Sequence, residues 1–236
     1  MSSIRVRAAT AFTLLLIPLS AAGCKGGSES SQPTESLPKG SEVLSQASAA
    51  MRDVNSVGFT LRTEGKPAVP FKRGDIKLLK SGDAEGGIQI QQAGQAVEMN
   101  FVLVGPTVYL KGVTGGYQKL PRAMVAQIYD PSAVLDPDRG VAKLLTTATD
   151  PTTEAREKVG GKDTYRVKAT LPKDTAAALV PGIGQDLTGQ VWVATTDHRP
   201  VKLKMQVPPT AGGGDTGSVI VSLTEFNADY KITPPK

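Results

Sequence analysis

The sequence predicts an α+β fold: one large antiparallel sheet interrupted by short helices. Three observations carry that reading. Apolar and polar residues alternate over most of the chain, in runs of strand length. Gly and Pro punctuate the runs at hairpin spacing. Helical spacing is confined to the front of the folded part, one stretch near the middle and a short Ala-rich segment.

The chain opens on a targeting segment. Arg5 and Arg7 precede an uncharged stretch from Ala8 to Ser20 with Leu14, Leu15, Leu16 and Ile17 at its centre, followed by Ala21, Ala22 and Gly23 and then by Cys24, the only cysteine. A positive start, an apolar middle and a small-residue end make a signal peptide over residues 1–23. Leu19-Ser20-Ala21-Ala22-Gly23-Cys24 matches the lipobox of bacterial lipoproteins, in which the thiol receives a diacylglycerol before cleavage. Position −3 holds Ala21 rather than the commoner Leu. Two acyl chains suffice for stable anchoring, whereas the apolar run falls short of the roughly 20 residues that span a bilayer. The expectation is a protein tethered through Cys24 to the outer face of the cytoplasmic membrane.

Residues 24–40 follow as acylated Cys and flexible tether, since the stretch from Lys25 to Gly40 holds one large apolar residue, Leu37, and cannot form a core. Residues 41–236 then read as a single domain. Ser41 is placed as an N-cap, with Val43, Leu44, Ala47, Ala50, Met51 and Val54 at helical spacing behind it. The period then switches to two. Val57, Phe59 and Leu61 form one run, Ile88 and Ile90 another, and Val97, Met99, Phe101 and Leu103 a third. Turns are predicted at Gly65-Lys66-Pro67, Ser81-Gly82-Asp83, Ala93-Gly94-Gln95 and Gly105-Pro106, which makes a meander. From Pro121 to Ala148 the pattern is helical, with Asp136-Pro137-Asp138 as a start signal before Val141, Leu144 and Leu145. Strands return at residues 155–159, 164–171, 189–195, 201–207 and 218–226, with a short helix at Lys173 to Val180. Val201, Leu203, Met205 and Val207 against Lys202, Lys204 and Gln206 demand one dry and one wet face.

Composition narrows the function classes. Lys and Arg number 27 against 22 Asp and Glu, and the excess of five falls to three once Arg5 and Arg7 leave with the signal. So mild and scattered a charge argues against nucleic acid. His198, the one histidine, lies in a polar turn segment with no nucleophile or orienting partner nearby. One cysteine and one histidine make no zinc site, and Gly160-Gly161-Lys162-Asp163 lacks the phosphate-loop glycine and hydroxyl positions. Asp136 and Asp138 are close in sequence, but acids are favoured at a helix start without any catalytic role. Neither an enzyme nor a cofactor is expected. What remains is apolar surface, and periodicity alone leaves two closures open: a filled core, or an open half-barrel with a cavity.

Val104-Gly-Pro-Thr-Val-Tyr-Leu-Lys111, Pro131-Ser-Ala-Val-Leu-Asp-Pro-Asp-Arg-Gly140, Gly189-Gln-Val-Trp-Val193 with Arg199-Pro-Val201, and Val221-Ser-Leu-Thr-Glu-Phe-Asn227 together resemble the LppX/LprG/LprA/LprF family of actinobacterial lipoproteins. The resemblance covers most of the chain from Ser41 and extends in fold to the LolA/LolB carriers. It implies a strongly curved antiparallel half-barrel with helices on the concave face, enclosing a hydrophobic pocket for an acylated lipid or glycolipid that is moved across the envelope. The protein would then act as a monomer, with the membrane and the lipid as its partners. The expected dry-face residues, core and cavity wall together, are Phe59, Leu61, Met99, Phe101, Val191, Val193, Leu203, Met205, Val221 and Leu223. The residues alone leave two other classes open, a surface-exposed interaction module without lipid cargo and a hydrolase with dispersed acids.

Replacing Cys24 with Ala should abolish incorporation of a radiolabelled fatty acid and leave an unprocessed or soluble precursor. Labelling equal to that of the parent would place the anchor elsewhere.

Overall fold

The computed structural model describes residues 36–236, apart from 93, 113–114, 127–129, 181–182 and 209–215. Cys24 and the signal segment lie outside the described residues. The folded part opens with helix α1, Gly40–Arg52, which buries Val43, Leu44, Ala47, Ser48 and Met51 along one face. The helix starts one residue before Ser41, and Ser41 is not its cap. The Lys39 carbonyl accepts from the amides of Glu42 and Val43 instead. The reason is steric. A side chain at Gly40 would come within 2.5 Å of the Pro151 carbonyl oxygen, so this helix end packs directly on another backbone.

Strands β1 (Ser56–Glu64), β2 (Phe71–Leu79), β3 (Ala84–Gln92), β4 (Gln95–Val104), β5 (Thr107–Lys111) and β6 (Gln118–Pro121) form a meander of hairpins with the expected turns. The chain then leaves the sheet through helix α2 (Arg122–Ala126), a 3-10 turn (Pro131–Leu135) and helix α3 (Val141–Thr147). It re-enters as β7 (Thr149–Val159) and β8 (Lys162–Leu171), passes through helix α4 (Lys173–Leu179), and ends with β9 (Leu187–Ala194), β10 (Pro200–Val207) and β11 (Gly217–Phe226).

All eleven strands make one antiparallel sheet in the order β6-β5-β4-β3-β2-β1-β11-β10-β9-β8-β7. Two meanders are thus zipped together where the first strand meets the last. The edge strands β6 and β7 do not pair with each other, so the sheet is an open half-barrel with its helices gathered on one face. Register shifts at Gly58/Phe59, Phe71/Arg73, Pro200/Lys202 and twice along β7 add the local twist that curvature needs.

The helical middle differs from expectation at one point. Asp136-Pro137-Asp138 does not start a helix; α3 begins at Val141 behind Gly140. Asp136 closes the preceding 3-10 turn, accepting from the Asp138 amide at 2.8 Å and from the Arg139 guanidinium at 3.0 Å. The Asp138 hydrogen bond, followed by Arg139, holds the Asp136 carboxyl below the usual carboxylate range. The Asp136 carboxylate is therefore taken up by local structure, with Asp138 supplying its amide.

Helix α1 lies over β7, β8 and β9 and packs against α3, where the buried Ser48 hydroxyl donates to the Ala142 carbonyl at 2.8 Å. At the other end of the chain, Asn227 and Ala228 are pinned to the start of β1. The Ser56 hydroxyl donates to the Ala228 carbonyl at 2.7 Å, and the Asn55 amide donates to Asn227 Oδ1 at 2.7 Å.

Gly40→Val should force α1 off the Pro151 backbone and lower stability by about 1–3 kcal/mol, the usual range for overpacking. The denaturant midpoint of the purified protein measures this.

Candidate functional site

Paired residues share a face of the sheet, so the register sorts the dry side chains directly. One continuous row runs Met99, Ile88, Gly74, Leu61, Val221, Leu203, Val191, Val167, Thr153 across nine strands. A second runs Leu110, Phe101, Gly86, Ile76, Phe59, Leu223. Met205 pairs with Val219 and Gly189 in a third, and Val193 lies two residues along β9 from Val191. All ten residues picked from the sequence fall on this face, the one that carries the helices.

Burial divides them. Beneath α1 and α3 the row is closed: Leu203 is 4% exposed and Val191 and Val167 are 0% exposed. Val193, Met205 and Leu223 are buried as well. Toward β4, Val221, Leu61, Ile88 and Met99 remain half-buried, as do Phe59 and Phe101 in the second row. On the same face the next row of the first meander, Val57, Leu78, Ala84, Leu103 and Val108, is buried too, so the open apolar surface is the part of β1 to β4 beyond it.

Size accounts for this division. Eleven strands at about 4.8 Å spacing give a sheet roughly 48 Å wide when flattened. The longest helix, α1, is about 20 Å long and about 10 Å across. Helices of this size cannot cover the whole face, and the open side is the one left over. Gly74 and Gly86 sit in the two rows as they cross β2 and β3, where a side chain at Gly86 would run into the Asp75 carbonyl, so glycine permits the close approach of the two strands.

Sequence reading did not single out Ile76, Ile88, Ile90, Val97 or Leu110 as site residues, although all are partly buried on the strands that carry the open patch. Ile76 is masked by Lys72, Arg73, Asp75 and Lys77 around it, and no periodic signal reveals which strands a helix will leave bare.

The opposite face is polar and tightly bonded. Arg166 joins Glu154 at 3.1 Å and Glu157 at 3.0 Å, Gln190 donates to Glu154, Trp192 Nε1 donates to Glu157, and Lys202 lies over the Trp192 ring. These contacts make a structural ladder. His198 sits exposed in the β9–β10 turn at φ 55°, its amide donating to the Ala194 carbonyl. Among the described residues no cluster of His, Cys, Asp and Glu is arranged to hold a metal, and no helix is long and apolar enough to cross a membrane.

Comparison with known proteins places this architecture. The family described as LppX_LprAFG lipoprotein matches residues 39–234. The lipoarabinomannan carrier protein LprG of Mycolicibacterium smegmatis is 30% identical over 220 residues, which is 91% of this chain and 89% of that one. A putative diacylated glycolipid transporter, LprF of Mycobacterium bovis, is 24% identical over 95% of this chain and 89% of its own length. The crystal structure of LprF from Mycobacterium bovis superimposes with a TM-score of 0.70 at 22% identity, covering 83% of this chain and 96% of that one. LppX from Mycobacterium tuberculosis gives a TM-score of 0.60 at 19% identity, covering 82% and 97%. Both structures share the fold.

The split between core and open face predicts different mutational costs along one row. Leu203→Ala should lose about 2–5 kcal/mol, as for a buried leucine, whereas Met99→Ala should lose about 1 kcal/mol or less. Urea denaturation of the two variants checks this.

Proposed function

We propose, from the premise that this chain belongs to the LppX_LprAFG lipoprotein family, that it is an envelope carrier which takes the acyl chains of a lipid or lipoglycan against its open apolar face. The observation that carries the reading is the gradient along the Met99 to Val167 row, from half-buried to fully packed. A dry face left uncovered by the protein's own helices needs an apolar cover. Each lipid methylene withdrawn from a bilayer costs about 0.8 kcal/mol unless it meets apolar surface again. Half-buried Phe59, Leu61, Met99, Phe101 and Val221 are the wall in this reading, while Val191, Val193, Leu203, Met205 and Leu223 form the packed floor behind it.

The relatives, a lipoarabinomannan carrier and a glycolipid transporter, support a carrier of acylated lipid rather than an enzyme. Acylation at Cys24 would hold the domain at the outer face of the cytoplasmic membrane, and release or transfer of the lipid would move it across the envelope.

The full lipidated protein, extracted gently and analysed by mass spectrometry, should carry phospholipid or glycolipid. Leu61→Trp should fill the open face and reduce bound lipid several-fold, with stability changed by no more than about 0.5 kcal/mol. Val193→Trp should instead overpack the floor and cost about 1–3 kcal/mol. Lipid-free parent protein, or equal lipid in Leu61→Trp and the parent, would overturn the reading.

A further inference from the structure

A groove of about 310 Å³ lies on the convex face, across the sheet from the apolar rows, between β2 and β4. Its floor is the middle of β3. Gly87 lies in a convex row between Asp75 and Asn100, and neighbouring Gly86 leaves the backbone bare beside it. Glycine within a strand marks a place where another molecule can approach the backbone closely. The walls are Asp75, Lys77 and Glu85 on one side and Asn100, Phe101, Val102 and Tyr117 on the other.

The chemistry of those walls is selective. Lys77 is taken up by Glu85 at 3.1 Å. Among the described residues the Asp75 carboxylate and the Asn100 amide make no side-chain hydrogen bond, and both are exposed at the groove. Asp75 and Glu85 offset Lys77 and Lys111, whose ammonium lies 5.7 Å from the Tyr117 ring centre, so the groove carries no net charge to hold a phosphate or other anion. β3 is an interior strand, paired on both sides, so an extended peptide cannot add to it by backbone hydrogen bonds. An acceptor-only carboxylate, an amide that both donates and accepts, and a tyrosine ring suit a neutral ligand carrying several hydroxyls on a partly apolar ring.

We infer that the convex groove over Gly86 and Gly87 is a binding site for a neutral sugar ring, separate from the apolar face. Asp75 and Asn100 take its hydroxyls, and it packs beside the Tyr117 ring, which also carries Lys111. The sugar can come from the glycan of a bound glycolipid or from an independent polysaccharide.

The test is an amide NMR titration of the full mature chain with methyl α-mannoside, methyl α-glucoside and an arabinose disaccharide at millimolar concentrations. Shifts are expected at the Gly86, Gly87 and Asn100 amides for at least one of these sugars, with affinity falling about tenfold in Tyr117→Ala. Gly87→Val should abolish the response without unfolding the chain, because a Cβ there meets only the end of the Asn100 side chain, at 3.1 Å, and valine suits a strand. Absence of shifts at these amides with all three sugars, or shifts unchanged in Gly87→Val, would overturn the inference. A repeat on protein loaded with a glycolipid distinguishes the sources. A lost response means the bound lipid's own glycan fills the groove, and an undiminished one means a separate glycan does. Both leave the sugar site standing, and neither depends on whether Leu61→Trp alters lipid content.

Discussion

The chain leaves the sheet at one edge, β6, and must re-enter it at the other, β7, and the rest of the architecture follows from that crossing. The segment at 122–148 makes the passage with α2, the 3-10 turn and α3. Wholly helical it would span roughly 40 Å, and its extended stretches lengthen that, against roughly 48 Å across a flattened eleven-stranded sheet. Curling the sheet shortens the crossing and lets the segment spend its residues on helices, and the bulges along β1, β2, β7 and β10 supply the bend. Once curled, the sheet turns its dry face inward around the crossing helices. Of these, α3 packs toward β8 with α1 beside it, while α2 stays by β5 and β6 and the 3-10 turn touches β2, which leaves part of the first meander's dry face half-buried.

Two faces of one sheet therefore carry different chemistry. On the concave side the residues are aliphatic or aromatic and graded from packed to open. On the convex side charges are paired in ladders such as Glu154, Arg166 and Glu157, except over β3, where glycines interrupt the side-chain cover. A carrier of amphipathic cargo needs both kinds of surface, one for chains that avoid water and one that tolerates it.

Much of this was legible in the sequence because strands with one wet face announce themselves. Val201 to Val207 alternates without a fault, and β8, α4 and β11 lie within two residues of where the pattern put them. The ten dry-face residues share a face because period two leaves them no other choice. Cross-strand register was not legible, and register decides which of the ten lie under a helix. Nor was β2, whose charged residues hide Ile76. The Gly40 contact was also invisible, since a backbone approach from Pro151, 111 positions downstream, leaves no local trace. Asp136-Pro137-Asp138 misled because an acid before a proline serves a 3-10 exit as well as a helix entrance.

The pairing of β1 with β11 has a kinetic meaning as well. Ser56 and Ala228, bonded across this seam, stand 172 residues apart in the chain. Synthesis proceeds from the N-terminus at roughly 5–20 residues per second, so β1 waits on the order of ten seconds for its partner. Loop closure over such a separation is slow in any case. The first meander must exist through that interval with one edge unpaired and its apolar face bare. Such a chain is most exposed to aggregation before its last strand arrives, and a helper that shields strand edges would act on it then.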